Sequence, residues 1–96
     1  MVTHIVLFKF NDENKEENIK KAKKLLDNLP KKIDLIKYFE IGVNFDQADR
    51  AMDLSLISRF ENIEDLNAYA IDPEHLKVVD FIKSVTSYSK VVDYNS

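Results

Sequence analysis

Residues 52–82 read MDLSLISRFENIEDLNAYAIDPEHLKVVDFI, and one change of period and one helix break inside them decide the fold. The opening alternates: Met52, Leu54, Leu56, Ser58 and Phe60 on one side, Asp53, Ser55, Ile57 and Arg59 on the other. That is the period of a strand. From Ile63 the spacing turns helical, with Ile63, Leu66, Tyr69 and Ala70 on one stripe. Asn62 stands where a cap belongs, and Asp65 follows three residues later in a capping-box-like arrangement. One helix cannot run through to Ile82. Asp72 precedes a proline and resists helical backbone, so the helix ends near Ile71. Asp72 is then a good N-cap for a second helix, with Pro73 at its first position. This helix runs to about Lys83 and turns His75, Val78, Val79 and Ile82 inward.

Upstream, residues 2–10 read as a strand whose two faces both carry large apolar groups. Val2, His4, Val6, Phe8 and Phe10 alternate with Thr3, Ile5, Leu7 and Lys9. A sheet wet on one side shows cleaner alternation. Both faces of this strand are therefore expected to be covered, in a chain with too little helix to cover both. Asn11, Asp12 and Asn14 are cap candidates for a helix to about Leu29, where Pro30 stops the pattern. Its inner stripe is Ile19, Ala22, Leu25, Leu26 and Leu29. Its lysines are interleaved with acids and lack aromatics, as on a solvated helix face.

Residues 31–36 form a connector that can take a helical turn. A strand from about Lys37 to Phe45 sets Phe39, Ile41, Val43 and Phe45 on one face and contains Gly42. A glycine inside a strand marks a bulge or a close approach. Residues 46–50 are a polar hairpin loop, leading to a third strand from about Ala51 to Phe60. A last strand covers about Ser84 to Tyr94. The order β-α-β-β-α-β, with the second helix broken at Pro73, predicts an α+β, ferredoxin-like sandwich. Its four-stranded antiparallel sheet carries helices on one face. The other face is apolar and bare, so two sheets are expected to pair face to face in a homodimer.

Composition narrows the function. The chain has 96 residues, which suits a single domain spanning 1–96. Hydrophobic residues are 45% and charged residues 32%, as in globular rather than disordered chains. There is no cysteine, which removes disulfides, thiolate metal sites and thiol nucleophiles and fits a reducing, cytoplasmic setting. The opening MVTHIVLFKF lacks the basic and apolar regions of a signal peptide, and no apolar run has membrane-spanning length. A net charge of −3 argues against a nucleic-acid partner. Two histidines 71 positions apart, without a carboxylate at ligand spacing, make no recognisable zinc site. Bound Mg²⁺ leaves no signal either way. No phosphate-binding loop, dinucleotide fingerprint or nucleophile elbow is present. No cofactor is signalled.

His75 carries the clearest chemical possibility. It lies in the first turn of its helix on the apolar side, where the helix terminus and partial burial both disfavour its charged form. A neutral imidazole can act as general base or as hydrogen-bond partner to a hydroxyl. It can equally be a core-edge histidine tied to a backbone group. Tyr69 stands six residues earlier on the preceding helix, and the break at Pro73 can aim it at the same space. Core packing explains it as well. His4 joins that space if its face of the first strand looks toward the helices, and a sheet-to-sheet interface if it does not.

The quoted segment resembles the stress-responsive α/β-barrel domain family, dimeric α/β barrels of ferredoxin-like fold. The shared pattern is an apolar strand ending in an aromatic and an acid, a short acidic helix, Y-x-x-H-P-x-H, and an apolar helix ending near F-I. HIVLFKF resembles the family's first strand, and the glycine of IGVNF falls where the family often has one. The resemblance implies a dimer joined through its sheets into a barrel. Members include plant stress-associated proteins, bacterial proteins of unknown role and a plant polyketide cyclase that closes a ring by an aldol-type reaction. In that cyclase a tyrosine and a histidine of this motif serve catalysis, which implies Tyr69 and His75 here, with His4 matching a first-strand histidine. The motif's first histidine is Asp72 in this chain, which suits a cap.

Three functions stay open. One is a small aromatic or polyketide-like ligand held between sheet and helices, among Val6, Phe8, Leu26, Leu56, Tyr69 and Val79. If catalytic, His75 would serve as base and Tyr69 as partner of an enolate oxygen, in cofactor-independent cyclase or lyase chemistry. Another is a non-catalytic stress or interaction protein whose dimer is the working unit. The third is a cofactor-independent monooxygenase. Fold and partial motif do not choose among them.

Overall fold

β1 (Val2–Phe10) is an inner strand of one four-stranded sheet. A computed structural model describes residues 1–96. β1 pairs antiparallel with β3 (Leu54–Phe60) on one side and with β4 (Thr86–Asn95) on the other. β2 (Tyr38–Val43) pairs antiparallel with β3, giving the order β2-β3-β1-β4. The connections hold α1 (Lys15–Asp27), the short α2 (Leu29–Lys32), α3 (Ile63–Ala70) and α4 (Pro73–Val85). This is the ferredoxin-like α+β arrangement that the order of periods predicts.

Residues directly opposite in a ladder share a face. Val6 stands opposite Leu56 and Val91, and His4 opposite Ser58 and Asp93. That face looks toward the helices. Val2, Val6, Phe10, Leu54, Leu56 and Phe60 are buried on it against Ala22, Leu26, Leu66, Tyr69, Val78 and Ile82. Burying each large aliphatic or aromatic side chain contributes roughly 1.5–3 kcal/mol. The opposite face carries no helix. Ile5 is flanked there by Ile57 and Val92, and Leu7, Tyr88, Val92 and Tyr94 are exposed. The alternation within β1 thus has its explanation in one covered face and one apolar, uncovered face.

The helix break forms as expected. Asn62 Oδ1 accepts from Asp65 N–H at 2.8 Å, and Asp72 Oδ1 accepts from Glu74 N–H at 2.8 Å. Several boundaries differ. The first helix stops at Asp27 rather than Leu29, and Pro30 sits in the first turn of α2, where its missing N–H costs nothing. Asn14 precedes α1 with φ of 52°, a left-handed conformation that asparagine tolerates, and makes no side-chain cap. β2 ends at Val43, so Phe45 does not join the inner face and is 95% exposed. Asn44 Oδ1 instead accepts from Asp46 N–H at 3.2 Å, a local turn that competes with the ladder.

β3 correspondingly begins at Leu54 rather than Ala51. Asp53 C=O still accepts from Asn44 N–H at 3.0 Å, while the rest of the residue serves β1. Its N–H donates to Phe8 C=O at 2.9 Å, and its Oδ2 accepts from Phe10 N–H at 2.7 Å. Gly42 makes a close approach and no bulge. A Cβ there would lie 2.9 Å from Ser55 Oγ, while the β2–β3 register runs unbroken. The ladder irregularity falls between Lys9 and Phe10 of β1, opposite β4.

Candidate functional site

The break between α3 and α4 frees a backbone carbonyl, and His75 takes it. In a continuous helix Ala70 C=O would accept from the N–H of residue 74. That N–H goes to the Asp72 carboxylate instead. Ala70 C=O accepts from His75 Nδ1–H at 3.1 Å. A neutral imidazole with its proton on Nδ1 presents Nε2 as an acceptor. Burial leads in holding His75 below its ordinary pKa of 6.5. The Ala70 bond works against this, the nearby His4 adds to it, and Asp72 opposes it. The imidazole is therefore neutral at pH 7.

Tyr69 is 1% exposed and packs between Phe60 and His75, with ring centroids 4.9 and 4.2 Å away. Its hydroxyl is buried and has no hydrogen-bond partner. Burial raises its pKa well above the ordinary phenol value, so it stays protonated and can donate. Leaving a buried polar group unmatched costs about 1–3 kcal/mol.

Both side chains line one cavity of about 210 Å³ between the sheet and α4. Val6, Phe8, Leu26, Leu56 and Val79, expected from the sequence, line it too. So does His4, which settles its face in favour of the helices. His4 Nδ1 lies 2.5 Å from Asp93 Oδ1, so the carboxylate orients the ring and leaves Nε2 free of that contact. The site thus holds two oriented histidines and one unmatched phenol beside a largely apolar stretch of wall, with Lys83, Thr86 and Ser89 as its other polar members. It can accept and donate hydrogen bonds at once, and it can move a proton between neutral groups.

Sequence reasoning missed the β4 side of this site. Asp93, Ser89 and Val91 sit on the helix-facing side of β4, Val91 and Ser89 in the cavity wall and Asp93 behind His4. The available signal was that all three alternate on one face. Their register against β1 is set by tertiary pairing and is invisible in local pattern. Asp72 is a cap and lies outside the wall. No cluster of three or more His, Asp or Glu is arranged to hold a metal. No helix is long and apolar enough to cross a membrane.

The sequence profile of the Stress Responsive A/B Barrel Domain matches residues 2–96. The chain belongs to this family. A curated relative, the stress-response A/B barrel domain-containing protein DABB1 of Arabidopsis thaliana, is 30% identical over 99 residues. The match covers 98% of this chain and 46% of that protein, so the chain spans about half the length of the curated relative. A dimeric ferredoxin-like protein of unknown function from Bacteroides fragilis is 32% identical and superposes with a TM-score of 0.90. That match covers 99% of this chain and 95% of the other. A hydroxynitrile lyase from Passiflora edulis is 21% identical, with a TM-score of 0.84 over 97% of this chain and 90% of the lyase. At that identity the likeness shows the fold alone.

Proposed function

We propose that this family member binds a small, largely apolar molecule bearing one hydroxyl or enolisable carbonyl between its sheet and α4, and that it does so as a homodimer. One observation carries the binding reading. The Tyr69 hydroxyl is buried and unmatched, and the Tyr69 and His75 side chains line the same cavity. A ligand oxygen accepting from Tyr69 would satisfy it. The uncovered face around Ile5, Ile57 and Val92 supports the dimer, as does the dimeric state of the Bacteroides fragilis relative.

The test is titration of the protein with a simple phenol, followed by amide chemical shifts. Shifts should concentrate on α4, Tyr69 and the helix-facing residues of β1. Tyr69→Phe should weaken binding about tenfold, the worth of one hydrogen bond to a buried donor. Shifts scattered over the surface, or none, would return weight to a non-catalytic dimer. Sedimentation of the free chain checks the assembly, and a monomer at micromolar concentration would remove that half of the proposal.

A second reading, proton-transfer catalysis, is favoured by the neutral state of His75. Nε2 would take a proton from a carbon beside a carbonyl as the electron pair moves onto the carbonyl oxygen. Tyr69 would donate a hydrogen bond to that oxygen. Exchange of such a proton for deuterium, followed by NMR, tests it. Rates equal in the protein and in His75→Gln would reject it.

A further inference from the structure

The cavity wall has a second polar end. His75 and Lys83 both line it, at opposite ends of α4. Eight residues at 1.5 Å each separate them by about 12 Å along the helix axis. β4 repeats the arrangement. Asp93 holds His4 at one end, Val91 stands in the middle, and Ser89 and Thr86 lie toward the other. Between the ends the wall is made of Val6, Phe8, Val78, Val79 and Ile82. The cavity is therefore a slot with an apolar waist.

The ends differ in charge. His75 and Tyr69 are neutral at pH 7, and the Asp93 carboxylate already has His4 as its partner. Lys83 is the one permanently charged side chain in the wall. Like most lysines of the chain it meets no carboxylate within 4 Å, and what sets it apart is its place in the cavity wall. Thr86 does not serve it, because its hydroxyl donates to Ile82 C=O at 2.8 Å.

We infer that the ligand is bifunctional, with an anionic carboxylate held at Lys83 and a hydroxyl or carbonyl held at Tyr69 and His75. This rests on the ligand-binding reading above and adds the class of ligand. Lys83 is exposed, so it selects and orients the anion while Tyr69 and His75 read the far end.

The test compares 3-(4-hydroxyphenyl)propionic acid with its primary amide at low ionic strength, by calorimetry or amide shifts. The acid should bind about fivefold more tightly than the amide, the upper range for an exposed charge pair. Added salt should erase the difference. Lys83→Gln should bind the two equally, and Lys83→Arg should keep the preference. Equal binding of acid and amide to the unmodified protein would overturn the Lys83 assignment and leave the cavity reading standing. A preference that survives in Lys83→Gln would overturn it too, by assigning the anion to another cation. Binding of neither compound would overturn both readings together.

Discussion

The imidazole of His75 lies over the ring of Tyr69 at a centroid distance of 4.2 Å, with the planes inclined by 36°. Two residues from separate helices meet this way because Asp72 caps α4 and leaves Ala70 C=O for His75. The cap, the proline and the histidine thus act as one local device, and Tyr69 is the group it packs against.

Tyr69→Phe should stabilise the free protein. It removes a buried hydroxyl that has no partner and keeps the ring between Phe60 and His75. The gain should be about 1 kcal/mol, an increase in Tm of roughly 4–8 °C for a domain of this size. A lower Tm, measured by calorimetry without ligand, would mean that the hydroxyl is matched in solution.

The lowered pKa of His75 predicts a loss of stability on acidification. The folded state holds the proton less tightly than the unfolded chain, whose histidine titrates near 6.5. The contribution is therefore complete above that pH. It is lost as pH falls through 6.5 toward the lower folded value. Urea midpoints measured between pH 8 and pH 5 should fall in this window, and His75→Gln should flatten the decline. An equally steep decline in the variant would assign it to other groups.

Asp72→Ala should cost about 1 kcal/mol through the lost cap. Asp72→Asn should recover most of it, since either side chain can accept from Glu74 N–H. The informative readout is the His75 imidazole. In Asp72→Ala the freed Glu74 N–H competes for Ala70 C=O, so the His75 ring resonances should shift. Unchanged His75 resonances would show that cap and imidazole are independent.

Gly42→Ala should destabilise by about 1 kcal/mol, the low end for an inserted methyl, because it meets Ser55 Oγ at 2.9 Å and that hydroxyl must rotate away. Removing that oxygen in a Gly42→Ala, Ser55→Ala pair should recover part of the loss. A double-mutant cycle by urea unfolding measures the coupling, and strict additivity would rule the contact out.

The strands, the broken second helix and the inner positions of α4 were legible because period and caps agree there. His75, Tyr69 and five aliphatic and aromatic wall positions could be placed for the same reason. Phe45 was misplaced because its alternation continues past the point where Asn44 turns the chain. His4 could not be oriented from β1, since both faces of that strand are apolar. Its partner Asp93 is 89 positions away and is brought to it by register alone. Lys83 reads as an ordinary end-of-helix lysine until the fold sets it across the slot from β4.

β4 presents Ser89 and Val91 to the cavity and Tyr88, Val92 and Tyr94 to the uncovered face. In the proposed function one strand would take part in two equilibria, occupancy on one side and self-association on the other. If an occupant shifts β4 at all, its affinity must differ between monomer and dimer, and the dimer constant must then change by the same factor. A small molecule entering the slot would become an effector of assembly, and dilution of the protein would change its hold on that molecule.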